Sequence, residues 1–389
     1  MPAPQQEPSL TGDEILANAI KLADRVRTRD LTVEYAALRM LPDDIVQDIR
    51  TAGIMRMQMP RSWGGPEMPI MQSARVIEEL AKADGSIAWC SFIWSDSGVY
   101  PAYLDDKVAR AMYPSLDMAT SGWVYPVGTA KRVAGGYEIS GQWMFGSGIN
   151  HCDWVVSGCM VDDVVSDDPI DRWRMMFALP GEYEILDTWY TSGLCGTGST
   201  DYRCDRIFIP DERIGTFFQG SNREGPLWRS PGVFIAKAAG MPLGIASDAL
   251  TQTRRLMETK TDRMFGPYRN MTRVQSALAE AQAMLGSARS YLYGSLETQW
   301  VKLEAGRPLT VEERADVWLA RTNAFQVGRK IVSHLCDLIG GTSVYTNRSP
   351  LDRHLRDMQT ACQHVMAQTK AWEWVGQLML GVGQGHPFL

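Results

Sequence analysis

The sequence predicts an α+β fold that is mostly helical, with a helical domain over residues 11–117, a β domain over 118–225 and a second helical domain over 226–389. Three observations indicate this division. A length of 389 residues is enough for two or three domains of about 150 residues each. Apolar residues recur at helical spacing in both outer parts of the chain. The middle part instead has short β-branched and aromatic runs that are separated by glycine turns.

Three helices are expected in the N-terminal domain. The first opens at Asp13, and the second follows Pro42. A third runs through Leu80, after an interruption at 60–69 where prolines and two glycines do not allow a regular helix. The apolar face of the first helix consists of Ile15, Ala19, Leu22 and Val26. Residues 1–10 lack the apolar segment of a secretion signal, so we expect a short disordered lead-in.

Turn signals divide the rest of the chain. Residues 132–145, RVAGGYEISGQWMF, are typical of two strands joined by a glycine hairpin. In the C-terminal domain a helical stripe over 274–292 is followed by a break at 306–308. Gly340 ends the next helix. Pro350 then begins a last long helix, because proline is well suited to a first helical turn.

Composition argues against several classes of function. The net charge of -6 and the pI near 5.5 disfavour nucleic acid or an anionic membrane as a partner, since both need a concentrated basic face. No apolar run approaches the ~20 residues of a membrane helix. The seven cysteines show no paired spacing, which indicates free thiols in a reducing cytoplasm. The five histidines form no metal-binding pattern, so no metal site is expected, and no phosphate-binding glycine loop or serine-nucleophile motif is present.

Three segments, in order, resemble the acyl-CoA dehydrogenase family. Residues 60–89, PRSWGGPEMPIMQSARVIEELAKADGSIAW, are similar to the family's N-terminal helical domain. Residues 135–154, GGYEISGQWMFGSGINHCDW, are similar to its central β domain, in which a W-x-x-[ST] stretch lies against the flavin. Residues 262–282, DRMFGPYRNMTRVQSALAEAQ, are similar to the start of its C-terminal helices. The resemblance implies an N-terminal helical domain, a central β-sandwich domain and a C-terminal four-helix bundle that assembles as a homodimer or homotetramer.

The carboxylate needed for dehydrogenation is missing from the positions where this family places it. Acyl-CoA dehydrogenases use a glutamate to remove the proton next to the thioester. After Arg356 and Asp357, one of the family's two positions, the chain reads MQTACQHVMAQ and has no acid. The helix before residue 262 offers Asp248 and Glu258, and neither is at the family's other position. Dehydrogenation is therefore disfavoured.

Residues 349–364, SPLDRHLRDMQTACQH, instead resemble the flavin monooxygenases of this fold. That group includes dibenzothiophene monooxygenase and the oxygenase components of p-hydroxyphenylacetate hydroxylase and the steroid-phenol hydroxylases. Its motif continues to a histidine, matched by His364, and its F-[AS]-S-G motif is matched by residues 145–148. The resemblance implies an oxygenase component that receives reduced FMN or FAD from a separate reductase. With O2 the flavin would form a C4a-hydroperoxide and oxygenate a small aromatic or heteroaromatic substrate.

The same resemblance implies the site residues. Ser147 would hold the proton on flavin N5, and His364 would take a proton from the substrate, so these two are the predicted catalytic residues. The predicted flavin-binding residues are Trp89, Trp143, Phe145, Ser147 and Arg263. The predicted substrate-binding residues are Ser121, Asp96 and His364. The residues alone leave the structural alternatives open: a turn serine, a helix histidine, core tryptophans and a surface arginine in an ion pair.

Two departures and two alternative functions stand beside this hypothesis. Asp96 lies where some aromatic hydroxylases have a substrate-contacting histidine, and Cys195 replaces a common arginine in the glycine-rich segment 193–199. An acyl-CoA dehydrogenase or oxidase with a displaced base would be reduced by thioesters without a reductase. A non-catalytic flavin-fold binding subunit is the other alternative, and the presence of both Ser147 and His364 argues against it. C-hydroxylation, N-oxygenation and sulfur oxidation all remain open.

Overall fold

The computed structural model describes residues 9–230, 232–383 and 386–388. The predicted lead-in lies outside the described residues except for Ser9 and Leu10. The helices are α1 (Gly12–Val26), α2 (Thr32–Leu38), α3 (Asp43–Thr51), α4 (Ile70–Ala81), α5 (Gly85–Ser95), α6 (Asp106–Met112), α7 (Pro169–Arg172), α8 (Gly240–Thr259), α9 (Thr272–Glu304), α10 (Val311–Ile339), α11 (Leu351–Ala361) and α12 (Lys370–Leu380). The strands are β1 (Thr120–Val133), β2 (Gly136–Gly146), β3 (Trp154–Val161), β4 (Trp173–Ala178), β5 (Glu184–Ile185), β6 (Thr200–Pro210), β7 (Ile214–Gly215), β8 (Thr261–Asp262) and β9 (Gly266–Pro267).

Helix α1 begins with a capping box. The Thr11 hydroxyl accepts a hydrogen bond from the Glu14 backbone N–H at 3.2 Å, and the Glu14 carboxylate accepts one from the Thr11 N–H at 2.8 Å. These bonds satisfy backbone groups that the start of a helix leaves unpaired. The predicted apolar face is confirmed, and the buried residues of this helix are Ile15, Ala19, Leu22, Ala23 and Val26.

The predicted interruption at 60–69 is also confirmed, because α4 begins at Ile70 directly after it. Helix α5, in contrast, has no periodic signal in the sequence. Its buried residues occupy every face of the helix, so it has no polar side to alternate with an apolar one. Asp84 caps this helix by accepting a hydrogen bond from the Ile87 N–H at 3.0 Å. Because α5 is enclosed by the rest of the protein, its residue Trp89 lies deep inside the molecule.

Seven strands form one sheet in the order β5-β6-β2-β1-β3-β4-β7. Strand β1 is antiparallel to β2, with Val133 opposite Gly136, which confirms the predicted hairpin. The same strand is parallel to β3, with Thr120 opposite Trp154. Side chains of β2, β3 and β6 meet in a second hydrophobic core, although β2 and β3 are not neighbours in the sheet. The sheet therefore has a hydrophobic core of its own, and the predicted order of helical, β and helical parts is confirmed.

Helices α8, α9 and α10 pack together in the C-terminal part of the chain. The predicted break at 306–308 separates α9 from α10, and α10 ends at Gly340, whose φ is 60°. The segment Val233–Thr259 is long and apolar enough to qualify as a membrane span, which the sequence analysis did not expect. The structure buries 83% of its most apolar window inside the protein, so this segment is a core helix.

The prediction of one long final helix is wrong, because a turn over 362–369 separates α11 from α12. Side chains of α10 bind the carbonyl groups of that turn. Arg321 Nε donates to the Met366 carbonyl at 3.0 Å, and Gln326 Nε2 donates to the Ala367 carbonyl at 2.8 Å. Since tertiary contacts satisfy these carbonyls, the backbone does not need a continuous helix there. The local sequence contains no proline or glycine that would have signalled the break.

Candidate active site

Ser147 lies in a turn that follows β2 directly. Two residues beside Ser147 have positive φ: Phe145, near the end of β2, at 60°, and Gly148, in the turn, at 71°. The Ser147 N–H donates to the Phe145 carbonyl at 2.8 Å, and Trp94 Nε1 donates to the Gly148 carbonyl at 3.3 Å. A side chain at Gly148 would collide with the Trp94 ring, so the positive φ and the close approach both require glycine. Backbone geometry and packing therefore hold Ser147 in place.

Three buried hydroxyl groups form a chain that starts at Ser147. Ser147 Oγ lies 2.7 Å from Ser199 Oγ, which lies 2.6 Å from Thr197 Oγ1. The Thr197 hydroxyl donates to the Leu194 carbonyl at 2.9 Å. Each hydroxyl has a single proton to donate. Thr197 must therefore accept from Ser199, and Ser199 must accept from Ser147.

Because Ser147 donates its proton to Ser199, its oxygen can only accept hydrogen bonds from other groups in the site. One of its lone pairs accepts a hydrogen bond from Trp89 Nε1–H at 3.0 Å. The second lone pair is available to another N–H or O–H donor. Ser147 and Trp89 are each only 5% exposed, so a donor at this position is held away from bulk water.

His364 lies on the other side of Trp89, in the turn between α11 and α12. The two rings meet edge to face, with centroids 5.3 Å apart. Burial, together with the charge of Arg321, lowers the pKa of His364 to about 4, so the ring is neutral near pH 7. Its Nδ1 accepts a hydrogen bond from the Met366 N–H at 3.3 Å, which assigns the ring proton to Nε2. His364 therefore presents a hydrogen-bond donor, whereas the sequence analysis predicted a proton acceptor.

An aromatic shelf, formed by Trp123, Tyr125 and Phe145, adjoins Ser147. Trp123 stacks on Tyr125 with ring centroids 5.6 Å apart, and it meets the edge of Phe145 at 6.3 Å. Phe145 is 55% exposed and Tyr125 is 51% exposed. Contiguous exposed aromatic groups are typical of a surface that another molecule covers. A planar ring with an N–H donor at its edge fits the aromatic shelf and the buried acceptor oxygen together, and reduced isoalloxazine is such a ring.

Trp143 lies in the core of the β domain and not on the aromatic shelf. Its ring stacks on Tyr202 with centroids 5.5 Å apart, and its Nε1 donates to the Gly158 carbonyl at 2.9 Å. The side chain is fully buried, and a Cβ at Gly128 would collide with the ring. Core packing, one of the two alternatives that the sequence left open, accounts for these contacts. We therefore leave Trp143 out of the flavin surface.

Asp96 forms a buried ion pair with Lys237. Lys237 also donates to Gln58 Oε1 at 3.1 Å, and its ammonium nitrogen lies 5.1 Å from the ring centroid of Phe92. Burial raises the pKa of Asp96 to about 6, and the charge of Lys237 opposes that rise. Phe92 in turn packs against Trp89 with centroids 5.8 Å apart. The ion pair is therefore separated from Trp89 by one aromatic side chain.

Ser121 and Arg263 are the remaining predicted residues. Ser121 is buried at the start of β1, two residues before Trp123 of the aromatic shelf. Arg263 is exposed on the hairpin of β8 and β9, next to Met264 and Phe265, which are 85% and 73% exposed. Within the part of the chain that the structure describes, Arg263 forms no ion pair. The structure therefore does not bring Arg263 together with Ser147 and His364 inside one chain.

The two carboxylates that the sequence analysis considered as dehydrogenase bases, Asp248 and Glu258, lie away from Ser147 and His364. Asp248 Oδ2 is 2.9 Å from His354 Nε2, and this contact holds the pKa of Asp248 below its usual value despite burial. Glu258 is exposed near the end of α8. Neither has a described contact with the hydroxyl chain or with His364. Neither of these two carboxylates is therefore placed beside the hydroxyl chain or His364 to remove a proton next to a thioester.

Sequence reasoning missed Thr197, Ser199, Lys237 and Arg321. Thr197 and Ser199 belong to the segment GLCGTGS, in which the sequence analysis singled out only Cys195. Hydroxyl residues among those glycines were the available signal. Lys237 and Arg321 lie on buried faces of helical segments. A charged residue within an apolar helical pattern is the signal that could have found them.

Comparison with known proteins agrees with this description. The family description "Acyl-CoA dehydrogenase, N-terminal domain" matches residues 14–104, and "Acyl-CoA dehydrogenase, C-terminal domain" matches residues 236–369. The chain is 29% identical over 369 residues to the indole-3-acetate monooxygenase of Pseudomonas putida, with 92% of each protein covered. It is 27% identical over 362 residues to the flavin-dependent monooxygenase oxygenase subunit HsaA of Rhodococcus jostii (strain RHA1), covering 86% of this chain and 90% of that protein. The crystal structure of 3-HSA hydroxylase from Rhodococcus sp. RHA1 shares the fold, with a TM-score of 0.88 at 23% identity over 97% of this chain and 99% of that chain.

The fold, the site and these matches define the class: the chain belongs to the acyl-CoA dehydrogenase family. Its reaction, however, is not that of a dehydrogenase. Within the family the chain is the oxygenase component of a flavin-dependent monooxygenase, and its cofactor is reduced flavin. The names of its relatives decide against the dehydrogenase and non-catalytic alternatives.

Proposed function

We propose that this oxygenase component acts on a small aromatic or heteroaromatic molecule, and that Ser147 accepts a hydrogen bond from N5–H of the reduced flavin. The order of the hydroxyl chain carries the proposal. Because Ser147 donates its own proton to Ser199, its oxygen can only accept from a flavin. Reduced flavin has an N–H at N5, whereas oxidised flavin has an acceptor nitrogen there. The site therefore favours the reduced form.

Reduced flavin, when bound, supplies the electrons that activate O2. The residues of the chain hold the N5 proton and keep water away from it. Trp89 N–H orients the Ser147 oxygen, and the burial of both side chains excludes bulk water. The aromatic shelf is the surface that we assign to the flavin ring, with Phe145 at the end next to Ser147.

We assign to His364 the role of hydrogen-bond donor to an oxygen or nitrogen atom of the substrate. Support comes from the bond between Met366 N–H and Nδ1, which leaves Nε2–H directed elsewhere. Such a donor would orient a phenol-type or indole-type ring, and one relative is named for indole-3-acetate. Asp96 and Ser121 remain proposed substrate contacts on the family resemblance, and Ser121 lies two residues before Trp123 of the aromatic shelf.

We further propose a homodimer or homotetramer that receives reduced FMN or FAD from a separate reductase. The exposed hairpin with Arg263, Met264 and Phe265 supports subunit contacts, since large exposed apolar groups are typical of interfaces. Arg263 would then reach the flavin phosphate of a neighbouring subunit, because guanidinium groups bind phosphate well. A reducing cytoplasm is consistent with the cysteines, which are all free thiols in the structure.

The proposal is tested by measuring how much of the consumed O2 ends as hydrogen peroxide in a single turnover with reduced flavin and substrate. Ser147→Ala removes the acceptor for N5–H, so we expect the peroxide fraction to rise several-fold, in line with the loss of one hydrogen bond worth ~1 kcal/mol. Ser140→Ala is the matched control, because Ser140 lies on the same strand and bonds Asp205 and Arg206. An unchanged peroxide fraction in Ser147→Ala would remove Ser147 from the mechanism.

A further inference from the structure

The ammonium group of Lys237 is held by acceptors on every side. Asp96 Oδ1 is one of them. Gln58 Oε1 at 3.1 Å and the Phe234 carbonyl at 3.2 Å are two more. A lysine has three protons to donate, so each proton of Lys237 has an acceptor and the group is fixed in one position. It therefore holds Asp96 firmly by a single carboxylate oxygen.

The second carboxylate oxygen of Asp96, Oδ2, has no hydrogen-bond donor among the residues that the structure describes. The side chain of Lys237 has no exposed surface, whereas that of Asp96 keeps 9% of its surface exposed. The accessible part of this buried ion pair therefore belongs to the carboxylate. An ionised carboxylate oxygen can only accept hydrogen bonds.

Helix α5 places Asp96 on the same face as Trp89. Ile93 follows Trp89 by four residues and precedes Asp96 by three, a spacing that puts all three on one side of a helix. Asp96 is the C-cap of α5 and keeps helical backbone angles, with φ at -66° and ψ at -13°. Ile93 is also the one residue of α5 that is not buried. The accessible face of this enclosed helix thus has Trp89 at one end and Asp96 at the other.

A hydrogen bond also joins the end of α5 to the strand of the aromatic shelf. Ser97, which follows Asp96, accepts from the Thr120 N–H at 2.7 Å. Thr120 begins β1, and Trp123 of the aromatic shelf lies three residues further along that strand. The carboxylate of Asp96 is therefore next to the part of the site that we assign to flavin and substrate.

Stability alone does not account for this ion pair. Removing two charges from water costs free energy that offsets their attraction, so apolar side chains of similar volume are often as stable. What the pair adds to the site is an acceptor. His364 contributes a donor, and the Ser147 oxygen is assigned to the flavin, so neither of them accepts a hydrogen bond from the substrate.

We propose that Lys237 is a positioning residue that holds Asp96 in place, and that Asp96 Oδ2 accepts a hydrogen bond from an O–H or N–H group of the substrate. This inference rests on the oxygenase function proposed above and adds a second polar contact to the one made by His364. A ring with its own donor makes the contact with Asp96. A ring of the same shape without a donor loses it.

The test compares ligands that differ in one donor. The probes are indole and benzofuran, in which an oxygen replaces the N–H, and phenol and fluorobenzene, which lacks the O–H. Affinities are measured by calorimetry on the full chain with reduced flavin under anaerobic conditions. We expect wild type to bind at least one donor ligand about tenfold more tightly than its partner, the size of effect expected for a hydrogen bond to a charged group. This ratio is the donor preference.

Asp96→Asn keeps the shape of the side chain and its bond to Lys237, but it turns an amide NH2 towards the substrate, so the donor preference should disappear. Lys237→Met leaves Asp96 buried without a partner, which favours the protonated carboxyl group, so the preference should fall here too. Lys237→Arg keeps the positive charge and should retain part of the preference. The double variant Asp96→Asn, Lys237→Met removes both charges, so it should fold with a melting temperature close to that of wild type and still lack the preference.

Glu78→Gln is the matched control. Glu78 is a buried carboxylate of α4 that accepts from Arg289 Nε at 3.0 Å and from the Tyr293 hydroxyl at 2.7 Å, both in α9. This variant also replaces the carboxylate of a buried ion pair by an amide, and it should keep the full donor preference. A purely structural pair, when altered, would weaken the binding of both ligands of a pair equally and leave their ratio unchanged.

No donor preference in wild type, an undiminished one in Asp96→Asn, or one lost equally in Glu78→Gln would overturn the proposal. An undiminished preference in Lys237→Met would overturn the role of Lys237. The oxygenase function is judged separately, by chromatography of the products that wild type forms from indole and phenol with O2. Oxygenated product without a donor preference would remove the contact with Asp96 and leave the oxygenase function standing, whereas a donor preference without oxygenated product would support the contact and count against the proposed function.

Discussion

The two sides of the active site differ in how completely their polar groups are hydrogen-bonded. On the sheet side, the hydroxyl groups of Ser147, Ser199 and Thr197 form an ordered chain that ends at a backbone carbonyl. On the helix side, Arg321 has a guanidinium nitrogen without a partner, and His364 has no described partner at Nε2. The difference lies within one buried region, because Trp89 contacts both Ser147 and His364.

We propose that this difference separates a cofactor side from a substrate side. A fully bonded network is rigid and holds its acceptor oxygen in one orientation before the ligand arrives. Such a side suits flavin, whose N5 edge is the same in every turnover. Unpaired donors suit a ligand that binds and leaves, because its oxygen atoms complete their hydrogen bonds only while it is present. The four predictions below test this separation.

The largest effect is expected at His364. His364→Ala should lower the yield of oxygenated product in a single turnover about 100-fold, the upper range expected for losing a hydrogen bond to a charged atom. His364→Gln should retain more activity, because its amide nitrogen can replace the Nε2–H donor. The measurement is product per reduced flavin by chromatography. If Gln and Ala at this position are equally inactive, His364 acts as a base and not as a donor.

A smaller effect is expected from Ser199→Ala. Without Ser199 the Ser147 hydroxyl loses its acceptor and can turn its proton towards the flavin. We expect the ratio of affinities for reduced over oxidised flavin to fall about tenfold, since Ser147 can then donate a hydrogen bond to N5 of oxidised flavin instead of only accepting one from N5–H of reduced flavin. Anaerobic titrations with both redox forms measure this ratio. A ratio equal to that of wild type would show that the hydroxyl chain does not set the orientation of Ser147.

A still smaller effect is expected in the pH dependence of product yield. His364, with a pKa of about 4, stays neutral above about pH 5, so its protonation should not limit wild type between about pH 6 and 8. Arg321→Met removes a nearby positive charge, which raises the pKa of His364 and moves the acid limb of product yield to higher pH. Profiles of product yield for both proteins check this direction. An acid limb that moves to lower pH, or does not move, would contradict the described proximity of the two side chains.

The smallest functional effect is expected at Trp143. Trp143→Phe removes the hydrogen bond to the Gly158 carbonyl inside the sheet core, so we expect the free energy of unfolding to fall by ~1–3 kcal/mol. Flavin affinity should remain that of wild type, because Trp143 does not belong to the aromatic shelf. Denaturant unfolding and flavin titration are the two measurements. Weaker flavin binding at unchanged stability would restore the flavin contact that the sequence analysis predicted.

The fold was predictable where local patterns and tertiary packing agree. The apolar face of α1 and the glycine hairpin between β1 and β2 are examples, since each depends on residues that are close in sequence. Helix α5 escaped detection because burial on all sides removes the alternation that marks a helix. The turn before α12 escaped detection because its carbonyls are bound by Arg321 and Gln326, which lie more than forty residues earlier.

The site was predictable only in part, for a similar reason. Motif resemblance indicated Ser147 and His364, which the structure brings to the two sides of Trp89. It did not indicate Ser199, because the direction of a hydrogen bond depends on all members of the hydroxyl chain and not on one residue. Nor did it show that His364 bonds the Met366 N–H, which changes the expected role from acceptor to donor.

The central claim is that the hydroxyl chain makes Ser147 an acceptor for the N5–H of reduced flavin. Its most direct test is the affinity of wild type for reduced and oxidised FMN, and for reduced and oxidised FAD, measured by anaerobic titration. We predict that the reduced form of at least one flavin binds about tenfold or more tightly than its oxidised form. Equal affinities for both redox forms of both flavins, or tighter binding of the oxidised form, would contradict the claim.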